Sequence, residues 1–460
     1  MLKNNSLREG NIFKELIRLA VPIMGTSFLQ IAYNMVDMIW IGRIGSSAVA
    51  AVGTAGFYTW LSMAFIRISQ IGAEVSVAQS IGRDDIKEAR SFARSAVQLN
   101  FIIALSYAIF VIVFRKQLIG FFNIDDTYVI DMAVNYLGIV ALGMVFSFTN
   151  LVFSGIFNGA GKSGPPFIIN SLGLVINIIL DPLLIFGIGP VPGLGAVGAA
   201  IATVVAQVIV TIIFLFYINT KTSPLSGIKF FVSLKLTYIK KIIKIGYPVA
   251  LQNGMFTIFA MFIARIIANW GPIPIAVQRV GSQIESISWM TAYGFSTALS
   301  AFVGQNYGAG EWKRIYKGYF TALSIMSVIG IFASLLLILG AGPIFAIFIP
   351  KENETIVQGA IYLRILGLSQ LFMCIEITTS GAFNGLGKTF PPSLVSIVFT
   401  GLRIPAALVL SRPEALGLNG VWWSISLSSV LKGIVLVTWF IYEIYKEPAI
   451  KEMKMILAEE

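Results

Sequence analysis

Two short polar patterns interrupt otherwise apolar sequence. In Gln30-Ile-Ala-Tyr33-Asn34-Met-Val-Asp37 the polar groups recur at i, i+3, i+4 and i+7, which is one face of a helix. Further on, Asn170, Asn177 and Asp181 are spaced seven and four, again one side of a helix, and Pro182 follows the acid. A proline there disfavours helical geometry at Asp181 and frees backbone carbonyls. Carboxylates, amide oxygens and carbonyls are the hard ligands a small cation takes, and a carboxylate also carries a proton. Thr203 offers one more oxygen, although Thr is common in apolar helices. Later in the chain Gln278, Ser282, Glu285 and Trp289 share a face, and Glu376, Thr379 and Ser380 follow one another along another. A structural hydrogen-bond cluster or a simple proline kink would also account for these patterns. The cost decides: a charge at the centre of a membrane costs ~2.5 to 3.5 kcal/mol on insertion scales, so such acids read as functional. The chain has no His, and a lone Cys374 in an apolar run forms no internal disulfide, so a His/Cys zinc site is excluded. Proton chemistry near neutral pH falls to carboxylates.

These residues need a lipid setting, and the composition supplies one. Of 460 residues 57% are hydrophobic and 12% charged, with mean hydropathy +0.83, too few charges to cover a soluble body. Apolar runs long enough to cross a membrane fall near residues 14–41, 48–80, 92–114, 128–158, 165–188, 194–218, 240–267, 274–305, 316–349, 356–383, 391–411 and 417–445. The first run is long, contains Asp37 and lacks a small-residue cleavage pattern, so it is expected to stay in the mature protein rather than act as a signal peptide. The net charge of +11 reflects orientation rather than nucleic-acid binding, because the basic residues alternate by loop. One set of loops holds Lys3, Arg8, Lys14 and Arg18, then Arg83, Lys87, Arg90 and Arg94, then Lys162, then Lys221, Lys229, Lys235, Lys240, Lys241 and Lys244, then Lys313, Arg314 and Lys317, then Lys388, and finally Lys446, Lys451 and Lys454. The opposite set offers Arg43, Arg115, Lys116, Lys351 and Arg412. Both termini are therefore expected in the cytoplasm, with an even number of spans across the cell membrane.

The chain is a duplication. SGIFNGAGKSGPP at 154–166 and SGAFNGLGKTFPP at 380–392 align at one constant shift, which also brings Pro22 onto Pro248, Gly45 onto Gly271, Gln79 onto Gln305 and Gly82 onto Gly308. Each glycine-rich string approaches a phosphate-binding loop but has one residue too many before its Gly-Lys pair, and a membrane helix stands where a strand is required. A tight helix-to-helix turn is the expected use. The fold class is all-α polytopic: twelve transmembrane helices in two parallel six-helix repeats. The expected organisation is an N-terminal lobe over 1–218, a linker over 219–239, a C-terminal lobe over 240–445 and a tail over 446–460.

With two parallel six-helix halves established, YNMVDMIWIGRIGSSAVAAVG at 33–53, AQSIGRDD at 78–85, VGQNYGAGEWKRI at 303–315 and the two SGxFNG strings resemble the multidrug and toxic compound extrusion (MATE) transporters over nearly the whole chain. The resemblance implies a V-shaped pair of bundles that exports organic cations or drugs in exchange for protons or Na+, by alternating access. It implies that Asp37 is the first-helix coupling acid and that Asn177, Asp181 and Thr203 form an N-lobe proton or Na+ cluster with Tyr136 beside it. Gln30, Tyr33, Asn34, Glu285 and Glu376 are secondary candidates, and Pro22 resembles a first-helix hinge. The seventh helix, GYPVALQNGMFTIFAMFIARII, lacks the acid of the NorM type, so the chain looks closer to the DinF type. A lipid-linked-precursor flippase of the same superfamily is the alternative, drawn from Arg67, Arg265 and Arg403. No enzymatic activity, cofactor or nucleic-acid partner is expected. The expected partners are small organic cations and membrane lipids, the expected state a monomer, and Phe57, Tyr58, Trp289 and Tyr293 are candidates for stacking on flat cations.

Overall fold

The computed structural model describes residues 7–122, 124–188, 191–220, 223, 226–228, 230, 232–350 and 352–452. Lys3, Lys221, Lys229, Lys351 and Lys454 lie outside them. The helices are α1 (Ile12–Gly42), α2 (Ser46–Gly82), α3 (Ile86–Gly120), α4 (Thr127–Gly159), α5 (Gly164–Phe186), α6 (Gly195–Ile218), α7 (Leu236–Ala268), α8 (Pro272–Gly308), α9 (Trp312–Leu339), α10 (Ala341–Phe348), α11 (Asn353–Gly367), α12 (Gln370–Gly385), α13 (Phe390–Gly401), α14 (Arg403–Leu410) and α15 (Leu418–Tyr445). A two-residue antiparallel pair, β1 (Gly187–Ile188) with β2 (Val191–Pro192), sits between α5 and α6. The pairs α9 with α10, α11 with α12 and α13 with α14 each fall within one expected run. Among the described residues ten helices, or eleven spans with the bent α11–α12 pair as one, are long and apolar enough to cross a membrane, and α8 is the expected run that falls short of that measure. Exposed Val113, Leu339 and Ile347, the last two more than three-quarters accessible, are apolar surface of the kind that faces lipid.

The duplication is visible in the element boundaries. Helices α2 and α8 have the same length and matching ends, and each is preceded by a positive-φ glycine, Gly45 and Gly271. The two glycine-rich strings are turns. After α4, Gly161 takes φ 75 and Lys162 N donates to Phe157 O at 2.9 Å. After α12, Gly387 takes φ 75 and Lys388 N donates to Phe383 O at 3.0 Å. This is the left-handed stop that glycine permits, and a proline then starts each following helix. The other glycines of the strings pack helices. A Cβ on Gly155 would meet Gln70 O at 3.0 Å and one on Gly159 would meet Glu74 O at 2.2 Å, so α4 lies directly on the α2 backbone. In the second repeat a Cβ on Gly381 would meet Ser296 O at 2.2 Å and one on Gly385 would meet Ser300 O at 2.6 Å, so α12 lies on the α8 backbone. Small residues four apart are how membrane helices approach this closely.

Two compact units emerge, and they differ from the expected halves. Among the described residues, the first holds those of Gly25–Ala250; the second holds Leu7–Met24 with those from Leu251 to residue 452. The opening turns of α1 thus belong with the second unit and the opening turns of α7 with the first. The changes of unit follow Met24 and Ala250, the same position in each repeat, each two residues past a proline inside its helix, Pro22 and Pro248. The N-terminal segment is fastened within its unit: Arg314 donates to the carbonyls of Leu7 (3.1 Å), Glu9 (2.8 Å) and Gly10 (3.0 Å), while Leu7 N donates to Gln305 Oε1.

Candidate functional site

In the first unit four helices deliver the polar groups. Helix α5 carries Asn177 and Asp181 one turn apart, both with no solvent-accessible surface, and Asn177 Nδ2 donates to Asp181 Oδ1 at 3.1 Å. Helix α1 brings Asp37, whose carboxylate neighbours that of Asp181, and Tyr33, whose hydroxyl lies beside Thr203 and Gln207 of α6. Helix α4 adds Tyr136, buried, with Asp37, Tyr33 and Asp181 as its ionisable neighbours. Nearby, Asn150 Nδ2 donates to Gln207 Oε1 at 2.8 Å and Thr211 Oγ1 donates to Asn150 Oδ1, also at 2.8 Å, which fixes α4 against α6.

Five oxygens of this cluster are buried and have no hydrogen-bond partner among the described residues: Tyr33 Oη, Asp37 Oδ1, Asn177 Oδ1, Asp181 Oδ2 and Thr203 Oγ1. Buried polar atoms are usually satisfied; what sets these five apart from other unpartnered atoms of the chain is that they lie on side chains that neighbour one another around two carboxylates. Two adjacent buried carboxylates cannot both keep their charge without a cation or a shared proton between them. The set therefore suits a bound small cation or a proton, as the donor chemistry of two carboxylates, an amide and two hydroxyls also suggests.

Not every sequence candidate joins the cluster. Gln30 and Asn34 are exposed, so the polar stripe on α1 divides: Tyr33 and Asp37 point to the cluster and the other two do not. Helix α5 runs unbroken through Pro182, against the expectation of a helix interrupted at the acid. The proline has no N–H, so only the Ile178 carbonyl loses its helical partner. Of the aromatic candidates, Tyr58 is committed to structure, its hydroxyl donating to Leu118 O at 2.6 Å and its ring packed on Phe122. Phe57 also packs on Phe122, and Trp289 and Tyr293 form a T-shaped pair with ring centres 5.8 Å apart.

The second unit holds a different arrangement. Glu376 on α12, 5% exposed, accepts from Lys432 Nζ of α15 at 3.2 Å, and Lys432 is 6% exposed. Arg403 at the start of α14 donates from Nε to Ser428 Oγ (2.5 Å) and from Nη2 to Ser429 Oγ (3.1 Å), within electrostatic reach of Glu376 and Glu285. Glu285 on α8 lies beside Tyr362 and Gln370, and Gln370 Oε1 accepts from Ser288 Oγ at 2.7 Å. Neither acid has a basic neighbour on its own helix; other helices supply one. Lys432 escaped the sequence reading, although a single lysine inside the last apolar run, SSVLKGIVLV, is the signal that intramembrane charge should give.

Fold and site together define a helical membrane transporter of two repeated lobes, with a buried oxygen cluster in the first and a buried ion pair in the second. A family model described as MatE matches residues 22–183 and again 248–409, and the chain belongs to that family. It is 30% identical over 416 residues to a probable multidrug resistance protein NorM of Thermotoga maritima, covering 89% of this chain and 88% of that one. It is 24% identical to an FAD transporter of Shewanella oneidensis, covering 94% and 95%. A solved structure of a multidrug resistance MATE family transporter of the MOP superfamily, in an outward-facing conformation, superimposes with a TM-score of 0.88 at 24% identity, over 96% of this chain and 97% of the other.

Proposed function

We propose that this chain is a secondary active multidrug efflux antiporter of the cell membrane, with both termini cytoplasmic, which exports organic cations or drugs in exchange for protons or Na+. The five unpartnered oxygens of the Asp37–Asn177–Asp181 cluster carry the reading. The ion occupies the space between the two carboxylates, with Asn177 Oδ1 and Thr203 Oγ1 as further ligands when that ion is Na+, and Tyr33 and Tyr136 enclosing it. A cationic substrate and the coupling ion answer the same negative charge, so loading one disfavours the other, and that competition is exchange. Asp37 reaches the cluster from the portion of α1 beyond Pro22, so Pro22 is the natural place for the helix to bend as the acids load and unload. Family membership and the names of the relatives support multidrug efflux. The flippase alternative is weaker, because Arg403, one of its three arginines, is engaged with Ser428 and Ser429 beside Glu376.

The test is efflux of a fluorescent organic cation from proteoliposomes under an imposed pH gradient and, separately, an imposed Na+ gradient. Asp37→Asn and Asp181→Asn should each abolish gradient-driven efflux while protein yield and melting temperature hold. Full transport by either variant would remove that residue from coupling.

A further inference from the structure

Near its start, α3 carries Arg90, Arg94 and Gln98, each four residues from the last and so on one face. Gln98 Nε2 donates to the carbonyls of Phe230 and Val232, both at 2.8 Å, and so straps part of the linker between the repeats along that face. Helix and strap enclose a cleft of about 190 Å³ lined by Arg90, Ser91, Arg94, Gly227, Ile228 and Val232. Gly227, at φ 85, makes the turn that opens it. The Nε atoms of both arginines are shielded from solvent, and neither meets an acceptor among the described residues. The acids at this end of α3 are already used: Glu88 Oε2 accepts from Arg83 at 2.5 Å and from Ser80 Oγ at 2.9 Å, and Asp85 Oδ1 caps Glu88 N at 2.8 Å. Burying two guanidinium Nε–H donors without acceptors is costly unless a ligand supplies them.

We propose that this cleft binds a phosphate group. Two planar guanidiniums one helical turn apart present paired N–H donors that match a tetrahedral oxyanion. Ile228 and Val232 give the cleft an apolar wall, which a glycerol and the start of an acyl chain would cover. The basic loops place this end of α3 at the cytoplasmic leaflet, where basic pockets recruit anionic headgroups. The phosphate therefore comes either from a lipid headgroup or from a soluble phosphate. The inference does not depend on what the protein exports.

The experiment titrates the detergent-purified full chain with phosphatidylglycerol, read by native mass spectrometry, and in a separate arm with inorganic phosphate, read by calorimetry. The unmodified protein should retain phosphatidylglycerol over diacylglycerol, which lacks the phosphate. The Arg90→Gln/Arg94→Gln double variant should bind it roughly 30-fold more weakly, the product of two arginine–phosphate attractions near a membrane surface. Arg94→Lys, which keeps the charge, should retain most of the binding. Saturable binding of inorganic phosphate that the double variant loses would assign the same site to a soluble anion. Equal retention of phosphatidylglycerol and diacylglycerol by the unmodified protein, with no phosphate binding, overturns the proposal whether or not the double variant folds. So does undiminished binding of phosphatidylglycerol and phosphate by a well-folded double variant.

Discussion

Replacing Lys432 by Met should destabilise the protein substantially, because it strips the counter-charge from Glu376 and leaves the carboxylate in place. The two charged atoms are 3.2 Å apart with both side chains below a tenth exposed. At an effective dielectric of about 20 that separation corresponds to roughly 5 kcal/mol of attraction. Breaking a buried pair from one side costs about 3 to 5 kcal/mol, since the remaining ion keeps its full desolvation penalty. Arg403 stays within reach of Glu376 and holds the loss near the lower bound, about 3 kcal/mol. At roughly 2 °C per kcal/mol for a lobe of this size, the melting temperature should fall by about 6 °C. Adding Glu376→Gln should restore most of that loss, because removing both charges of a buried pair is close to neutral. The assay is a double-mutant cycle on thermal unfolding in detergent. A Lys432→Met protein that melts with the parent, or a double variant no better than the sum of its singles, would refute the pairing.

Gly385→Ala places a Cβ 2.6 Å from the Ser300 carbonyl oxygen and should cost about 1 to 3 kcal/mol by thermal unfolding. Gly254→Ala, on α7 with no atom within 4 Å, should instead gain up to about 1 kcal/mol from helix propensity. If the imposed Na+ gradient drives efflux, Thr203→Val, which removes one oxygen from the cluster, should raise the Na+ concentration for half-maximal efflux about tenfold, the equivalent of about 1.4 kcal/mol; an unchanged value would exclude Thr203 as a Na+ ligand.

Helix existence and the duplication are readable because they are local or periodic, in apolar run length and a constant shift, and polar spacing of three, four and seven singles out Asp37, Asn177 and Asp181, which the structure brings side by side. What was not readable is what depends on neighbours. The run over 391–411 is one span, Phe390–Leu410, interrupted by a single turn residue at Leu402, where Pro405 lacks the N–H that the Gly401 carbonyl would accept from, a local detail that run length does not report. Pro182 shows the opposite outcome, since α5 passes through it unbroken, so the proline alone does not decide. The ion pair on Glu376 joins helices whose residues lie far apart in sequence, and no periodicity reports on that. The exposure of Asn34 and Gln30 likewise depends on how α1 is rotated against α5 and α6, which spacing on one helix leaves open.

The clasp on the first residues sets an order for biogenesis. Leu7, Leu16, Leu19 and Ala20 are buried in a core shared with Phe295, Phe302, Tyr319 and Met326, about 300 residues later in the chain. A nascent protein that has inserted all of its first six spans still has no partner for the opening turns of its first helix. Their packing has to wait until α8 and α9 leave the ribosome, so these contacts form long after the turns themselves are made. Chains released before α9 would present those leucines to lipid and chaperones, which makes the N-terminal turns of α1 the segment through which quality control can tell a finished protein from a truncated one.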